Sequence, residues 1–164
     1  MELYFLRHGK AAELGEPGAH DDFNRALTEK GIKEMEAVAS ALAALGVKLD
    51  AIFTSPLVRA RETAEIVARR FGMKKQLVVT ELLAQGCNSD RLRKLLTSGE
   101  SASVMVVGHE PDFSRLVGNL IGRGGASVEM KKGAIACVET DAALRPGGGV
   151  LQWLAPPKML CERC

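Results

Sequence analysis

A chain of 164 residues is long enough for one domain with a sizeable hydrophobic core, without metals or disulfides as staples. Apolar and charged contents of 46% and 26% are those of an ordinary globular protein, and a net charge of +2 gives no argument for nucleic acid or a membrane surface as partner. No apolar run approaches the roughly 20 residues of a membrane span, and the opening apolar run is too short for a signal peptide and lacks its basic start. The expectation is a cytoplasmic protein whose residues 1–155 form a single domain, with 156–164 as a tail.

Short apolar runs alternate with helical patterns, which predicts an α/β domain: a three-layer α/β/α sandwich with a mostly parallel central sheet and a C-terminal antiparallel hairpin. The first strand is read from Glu2 to Arg7 and is followed by a long polar loop, Gly9 to Leu27, of a length that is more often functional than decorative. A helix is expected from an N-cap at Thr28 to Leu45, with Ile32, Met35, Ala39 and Leu42 on its buried face and Gly46 as its stop. The second strand, Ala51 to Thr54, ends at Ser55-Pro56, where serine is read as cap and proline as the first residue of a helix carrying Ala60, Ala64, Val67 and Phe71 inward.

A third strand is placed at Gln76 to Val79, then a loop with Glu81, Gly86 and Cys87, then a short helix with Leu92, Leu95 and Leu96. Val104 to Val107 is a continuous apolar run, as in a strand covered on both faces, ending at Gly108-His109-Glu110-Pro111. Pro111 opens a helix with Phe113, Leu116, Val117, Leu120 and Ile121, and the segments Ala134–Thr140 and Val150–Leu154 flank a glycine-rich turn as a hairpin. The C-x-x-C pair Cys161 and Cys164 lacks the second ligand pair of a zinc site and the thioredoxin-like context of a redox motif, so it is read as ordinary thiols on a frayed tail.

Three predicted strands end in one kind of chemistry: Arg7-His8-Gly9, Ser55-Pro56 with Arg59 just beyond, and Gly108-His109. Ligands of open α/β sheets gather beyond the carboxyl ends of the strands, so these termini are expected to meet in one crevice. A strand-end histidine by itself is more often a hydrogen-bonded structural residue, but two at matching positions beside two arginines suit a tetrahedral dianion such as phosphate. The start of the Pro56 helix is expected to add free N–H groups and a positive dipole end. Two histidines among arginines make a poor cation site, and Ser55 lacks the glycine-flanked elbow of a serine nucleophile, so neither a metal, a cofactor nor a serine hydrolase is expected.

In order along the chain, Arg7-His8-Gly9, Ser55-Pro56-Leu57-Val58-Arg59-Ala60-Arg61-Glu62-Thr63 and Val107-Gly108-His109 resemble the histidine phosphatase (phosphoglycerate mutase-like) superfamily over roughly residues 1–155. Within it, Arg25-Ala26-Leu27-Thr28-Glu29-Lys30-Gly31, the Gly108-His109-Glu110-Pro111 step and the final hairpin resemble the SixA-type phosphohistidine phosphatases. The resemblance implies that His8 is a nucleophile that becomes transiently phosphorylated, that Arg7, Arg59 and His109 hold the phosphoryl oxygens, and that no metal takes part. For His8 to attack, its other ring nitrogen must donate to an acceptor that fixes the tautomer.

Arg25 is carried as a further phosphate contact against a surface ion pair, and Glu81 as a general acid against a residue that only positions substrate. The implied substrate is a phosphorylated protein, such as a histidine-containing phosphotransfer domain, handled by a monomer with no nucleic-acid or membrane partner. A small-molecule phosphomonoesterase using Glu81 as acid and a non-catalytic phosphoprotein-binding module stand as alternatives.

Overall fold

The structure, a computed structural model, describes residues 1–96, 101–123, 125–141 and 143–161. Six strands form one sheet: β1 Glu2–Arg7, β2 Ala51–Thr54, β3 Leu77–Val79, β4 Ser103–Gly108, β5 Ile135–Glu139 and β6 Val150–Ala155, in the order β3-β2-β4-β1-β5-β6. β4 pairs in parallel with β1 on one side and β2 on the other, β2 pairs in parallel with β3, and β5 runs antiparallel to both β1 and β6. The predicted mostly parallel sheet with a terminal hairpin is therefore present.

The helices are α1 Glu29–Ala44, α2 Val58–Arg70, α3 Ser89–Leu96, α4 Asp112–Ile121 and α5 Pro157–Leu160, with 3-10 turns at Lys74–Gln76 and Glu81–Leu83. Alternate side chains of a strand face opposite ways, and the core divides accordingly. Leu3, Phe5, Val104 and Val106 pack with Leu92 of α3 and Phe113 and Leu116 of α4. Tyr4, Leu6, Met105 and Val107 pack with Met35 and Leu42 of α1 and Ala64 and Val67 of α2. These two cores, one on each face of the sheet, make the three layers.

Three local expectations change. The buried stripe of α1 is Gly31, Met35, Val38, Ala39 and Leu42; Ile32 lies one residue off that stripe, about 100° around the helix, and is 37% exposed. Helix α2 starts at Val58 with Leu57 as N-cap and no side-chain cap. Its first N–H, on Val58, donates to Phe23 O of the long loop (3.0 Å), so one of the donors expected to be free at that helix start is already paired. The segment after Ala155 folds back as α5, whose Pro157 is buried and whose Leu160 and Cys161 pack on the core shared with α1. Cys161 is disulfide-bonded, so the plain-thiol reading fails for it. Cys164, the other half of that motif, lies outside the described residues.

The Thr28 cap is formed as expected: its Oγ1 accepts from Gly31 N at 3.0 Å, while Thr28 N donates to Lys10 O at 2.9 Å. A Cβ on Gly31 would collide with that same Lys10 carbonyl. A glycine-to-alanine change inside a helix normally adds up to about 1 kcal/mol of stability. Here Gly31→Ala is expected to lower stability instead, by about 1–3 kcal/mol as for an overpacked core site, because the obstacle is backbone. Thermal melts of the two proteins check the sign.

Candidate active site

Pairing of the three parallel strands determines which residues meet. Arg7 lies opposite Gly108 across β1 and β4, and Thr54 lies opposite Val107 across β2 and β4. The residues that follow continue the ladder, with His8 N donating to Gly108 O (3.1 Å) and Ser55 N to Val107 O (3.0 Å). The side chains of His8 and His109 thus emerge side by side, ring centroids 5.3 Å apart, with 7% and 2% exposure.

His8 Nδ1 lies 2.8 Å from Gly9 O. A carbonyl oxygen only accepts, so Nδ1 carries the proton and Nε2 keeps its lone pair, the arrangement a nucleophilic imidazole needs. Arg59 Nε donates to that Nε2 at 3.2 Å. Gly9 belongs to the motif for a steric reason: a Cβ there would stand 2.7 Å from Met35 Cγ. Its N–H donates to Thr63 Oγ1 (3.1 Å), and Thr63 Oγ1 donates to Arg59 O (2.8 Å), tying the end of β1 to the first turns of α2.

Arg59 is 3% exposed and fully engaged. Besides His8, its Nη1 donates to Asp22 O (2.6 Å) and its Nη2 pairs with Asp22 Oδ2 (3.0 Å). Asp22 in turn pairs with Arg25 Nη1 (2.9 Å) and accepts from Gln85 Nε2 (3.3 Å). Burial raises the Asp22 carboxyl, but hydrogen bonds and charge from Arg25 and Arg59 outweigh it and hold the pKa below its ordinary value. Asp22 is therefore ionised near neutrality and serves to hold the arginine in place.

Arg7 Nη1 donates to Met130 O at 2.8 Å, while Arg7 Nε is buried without a partner among the described residues. Burial lowers the Arg7 pKa, and Glu110 opposes that shift. His109 Nε2 is 2.7 Å from Ser55 Oγ, and its Nδ1 is likewise buried without a partner. Ser55 also accepts from Leu57 N at 3.3 Å. The serine read as a helix cap is thus the partner of the second histidine.

Of the six residues singled out in the sequence, His8 and Arg59 are in direct contact, the His109 ring lies beside that of His8, tilted 55° to it, and Arg7 is the last residue of β1, immediately before His8. Arg25 sits on the long loop, its Nε on Ala12 O (2.7 Å) and its other nitrogens facing Asp22 and Glu13, so it meets the cluster through Asp22. Glu81 is exposed at the start of the 3-10 turn after β3, and its carboxylate joins no hydrogen bond or ion pair of the cluster among the described residues. Sequence reasoning missed Asp22, Ser55 as a histidine partner, and Thr63. Only Thr63 carried a readable signal, lying four residues after Arg59 on the same helix face.

A family model for the histidine phosphatase superfamily (branch 1) matches residues 3–85. An uncharacterized protein of Picosynechococcus is 36% identical over 87% of this chain and 87% of its own length. The phosphohistidine phosphatase SixA of Escherichia coli K12 is 30% identical over 96% of this chain and 94% of its own. A solved structure of the protein histidine phosphatase SixA in complex with tungstate superimposes with a TM-score of 0.82 at 28% identity, covering 98% of this chain and 99% of that one.

Burial, with smaller contributions from neighbouring positive groups, lowers the pKa of His8 to about 3. Burial and then Arg59 lower that of His109 to about 4, against an opposing pull from Asp22. Below the ordinary value of about 6.5, the unfolded chain takes up protons that the folded chain refuses, so stability falls as pH drops below it. The loss continues to about pH 4 for His109 and about pH 3 for His8. Thermal melts between pH 7 and pH 4 are expected to show a falling Tm, with a shallower slope in His8→Asn/His109→Gln.

Proposed function

The chain belongs to the histidine phosphatase superfamily, and on that premise we propose that it hydrolyses phosphohistidine on a protein through a phosphoryl intermediate on His8. That it is a phosphoric hydrolase follows from the family and from its SixA-like structure. The observation that carries the finer reading is the state of His8: neutral, with its proton committed to Gly9 O and its Nε2 lone pair directed at a fixed guanidinium.

In the proposed reaction the phosphoryl group of the substrate approaches Nε2. Arg59 Nε leaves the imidazole lone pair for a phosphoryl oxygen, and Nε2 forms the bond to phosphorus as the bond to the substrate imidazole breaks, that ring leaving as neutral imidazole because its other nitrogen is protonated. Water then displaces His8 from phosphorus, releasing phosphate and restoring the neutral ring. Arg7 Nε and His109 Nδ1 are buried donors with no partner among the described residues, and buried polar atoms normally have one. Phosphoryl oxygens would complete both. With the Ser55 hydroxyl donating to His109 Nε2, Nδ1 holds the proton that points to the substrate.

The tungstate in the SixA complex is a tetrahedral oxyanion of the same shape, which supports the assignment. Charge stabilisation comes from guanidinium and imidazole groups, so no metal is invoked. The four residues all come from one chain, which supports a monomer as the acting unit. Arg25 enters the proposal through Asp22, as a brace for the loop that holds Arg59. Imidazole is a better leaving group than an alkoxide, so the exposed Glu81 is given a minor part.

Phosphate release from a phosphohistidine-bearing protein is expected to persist in EDTA and to vanish in His8→Ala. Arg59→Ala is expected to lower kcat by about 10²–10³, the usual cost of removing one oxyanion donor, and Glu81→Gln to leave turnover within a few-fold. Turnover of a phosphate ester that exceeds that of phosphohistidine and collapses in Glu81→Gln would overturn the phosphohistidine assignment in favour of a phosphomonoesterase.

A further inference from the structure

Beside the catalytic cluster lies a second open cleft of about 380 Å³ that none of the chemistry above uses. Among the described residues five lysines line it, Lys10, Lys30, Lys131, Lys132 and Lys158, against one carboxylate, that of Glu34. Lys132 pairs with Glu13 at 3.5 Å. Lys10, Lys30, Lys131 and Lys158 are exposed and hold no ion pair among the described residues. The whole chain has a net charge of only +2, so this concentration is a local feature.

Its walls are continuous with the site. Lys10 follows Gly9, the acceptor of the His8 proton, and its carbonyl bonds Thr28 N, which places Lys30 on the adjoining first turn of α1. Lys131 follows Met130, whose carbonyl holds Arg7, and Gly133 N donates to His8 O at 3.0 Å. Register does the rest: Leu6 lies opposite Ile135, and Ile135 opposite Ala155, which brings Pro156, Pro157 and Lys158 to the same end of the sheet as His8. Consecutive Cα atoms are about 3.8 Å apart, so the lysine walls begin within one or two residues of the reacting groups.

We propose that this cleft docks an acidic surface of the phosphorylated protein, beside the phosphohistidine that enters the His8 pocket; the proposal rests on the phosphohistidine reading above. Lysines present point charges on flexible stems, suited to a patch of carboxylates whose spacing is not fixed. Among the described residues no aromatic side chain lines the cleft, which leaves out the stacking platform that single-stranded nucleic acid uses. A phosphate monoester with no second anionic group gains nothing from these lysines, whereas an acidic protein surface around a phosphohistidine does.

The test uses two synthetic peptides carrying one phosphohistidine each, flanked by glutamates in one and by serines in the other. For the wild-type protein, kcat/KM is expected to be about tenfold or more higher for the glutamate peptide at low salt, within the range of electrostatic steering. That preference should shrink at 0.3 M salt, where screening shortens below about 8 Å. Lys30→Glu/Lys131→Glu/Lys158→Glu is expected to abolish it through KM, with turnover of p-nitrophenyl phosphate unchanged. Equal kcat/KM for the two peptides, or a preference that survives the charge reversal, overturns the proposal.

Binding of the unphosphorylated glutamate peptide, followed by fluorescence anisotropy, reads the cleft separately from chemistry. If neither phosphopeptide is hydrolysed, the phosphohistidine reading fails, yet lysine-dependent peptide binding still upholds an acidic docking site, and its absence overturns that too. Tighter, lysine-dependent binding of a single-stranded oligonucleotide than of the peptide would assign the cleft to nucleic acid and overturn the proposal.

Discussion

The position of β4 between β1 and β2 is the constraint on which the site depends. Parallel pairing on both sides brings three strand ends level, and the hydrogen bonds His8 N to Gly108 O and Ser55 N to Val107 O carry the alignment one residue past the sheet. A slip of one residue in either pairing would turn alternate side chains to the opposite face, separating His8 from His109 and Ser55 from its imidazole. Two packed cores, one on each face, resist such a slip, because Leu3 and Phe5 belong to one and Tyr4 and Leu6 to the other. Core packing and active-site geometry are thus the same constraint.

Within that frame the cluster holds positive charge without acid residues that would cancel it at the reacting atoms. Two guanidiniums near two imidazoles would be self-repelling if the rings were protonated, and burial keeps both rings neutral. The balancing carboxylates stand back: Asp22 on the far side of Arg59, and Glu110 turned to Ser114, whose N–H and hydroxyl it accepts at 3.1 and 2.6 Å. Asp22 also gives the long loop a purpose. It runs from the end of β1 to the start of α1, and through Asp22 and Phe23 it grips Arg59 and the first N–H of α2.

The strand termini were legible in the sequence because two are apolar runs that stop at Arg7-His8 and Gly108-His109 and the third stops at Ser55-Pro56, breaks that need no tertiary knowledge. The layers were legible for the same reason, from periodicity. What escaped was set by contacts between segments far apart in the chain. Ser55 followed by proline has the local chemistry of a cap, and it does accept from Leu57 N, but only the approach of β4 shows that its hydroxyl also faces His109. Asp22 sits in a polar loop among other acids, where nothing local marks it as the partner of an arginine 37 residues away. Helix α5 is four residues long, barely one turn and too short to repeat a pattern, so its packing against α1 is visible only in three dimensions.

Charge distribution carries the last step. A near-neutral total argued against polyanionic partners as a class, yet the average conceals two separated positive features, one buried and one exposed. In the buried one each cation is directed by hydrogen bonds at a point, as suits a single tetrahedral group. In the exposed one the lysines, Lys132 with its Glu13 pair apart, hold no ion pair among the described residues and spread along a cleft, as suits a diffuse field. On the proposed phosphohistidine reading, a pocket for one phosphoryl group discriminates poorly among proteins that carry it, because every phosphohistidine offers it the same atoms. Selectivity among such proteins would then come from surface beyond the phosphoryl group, and the lysine walls that extend from Gly9 and Met130 are the charge that the proposed docking would use.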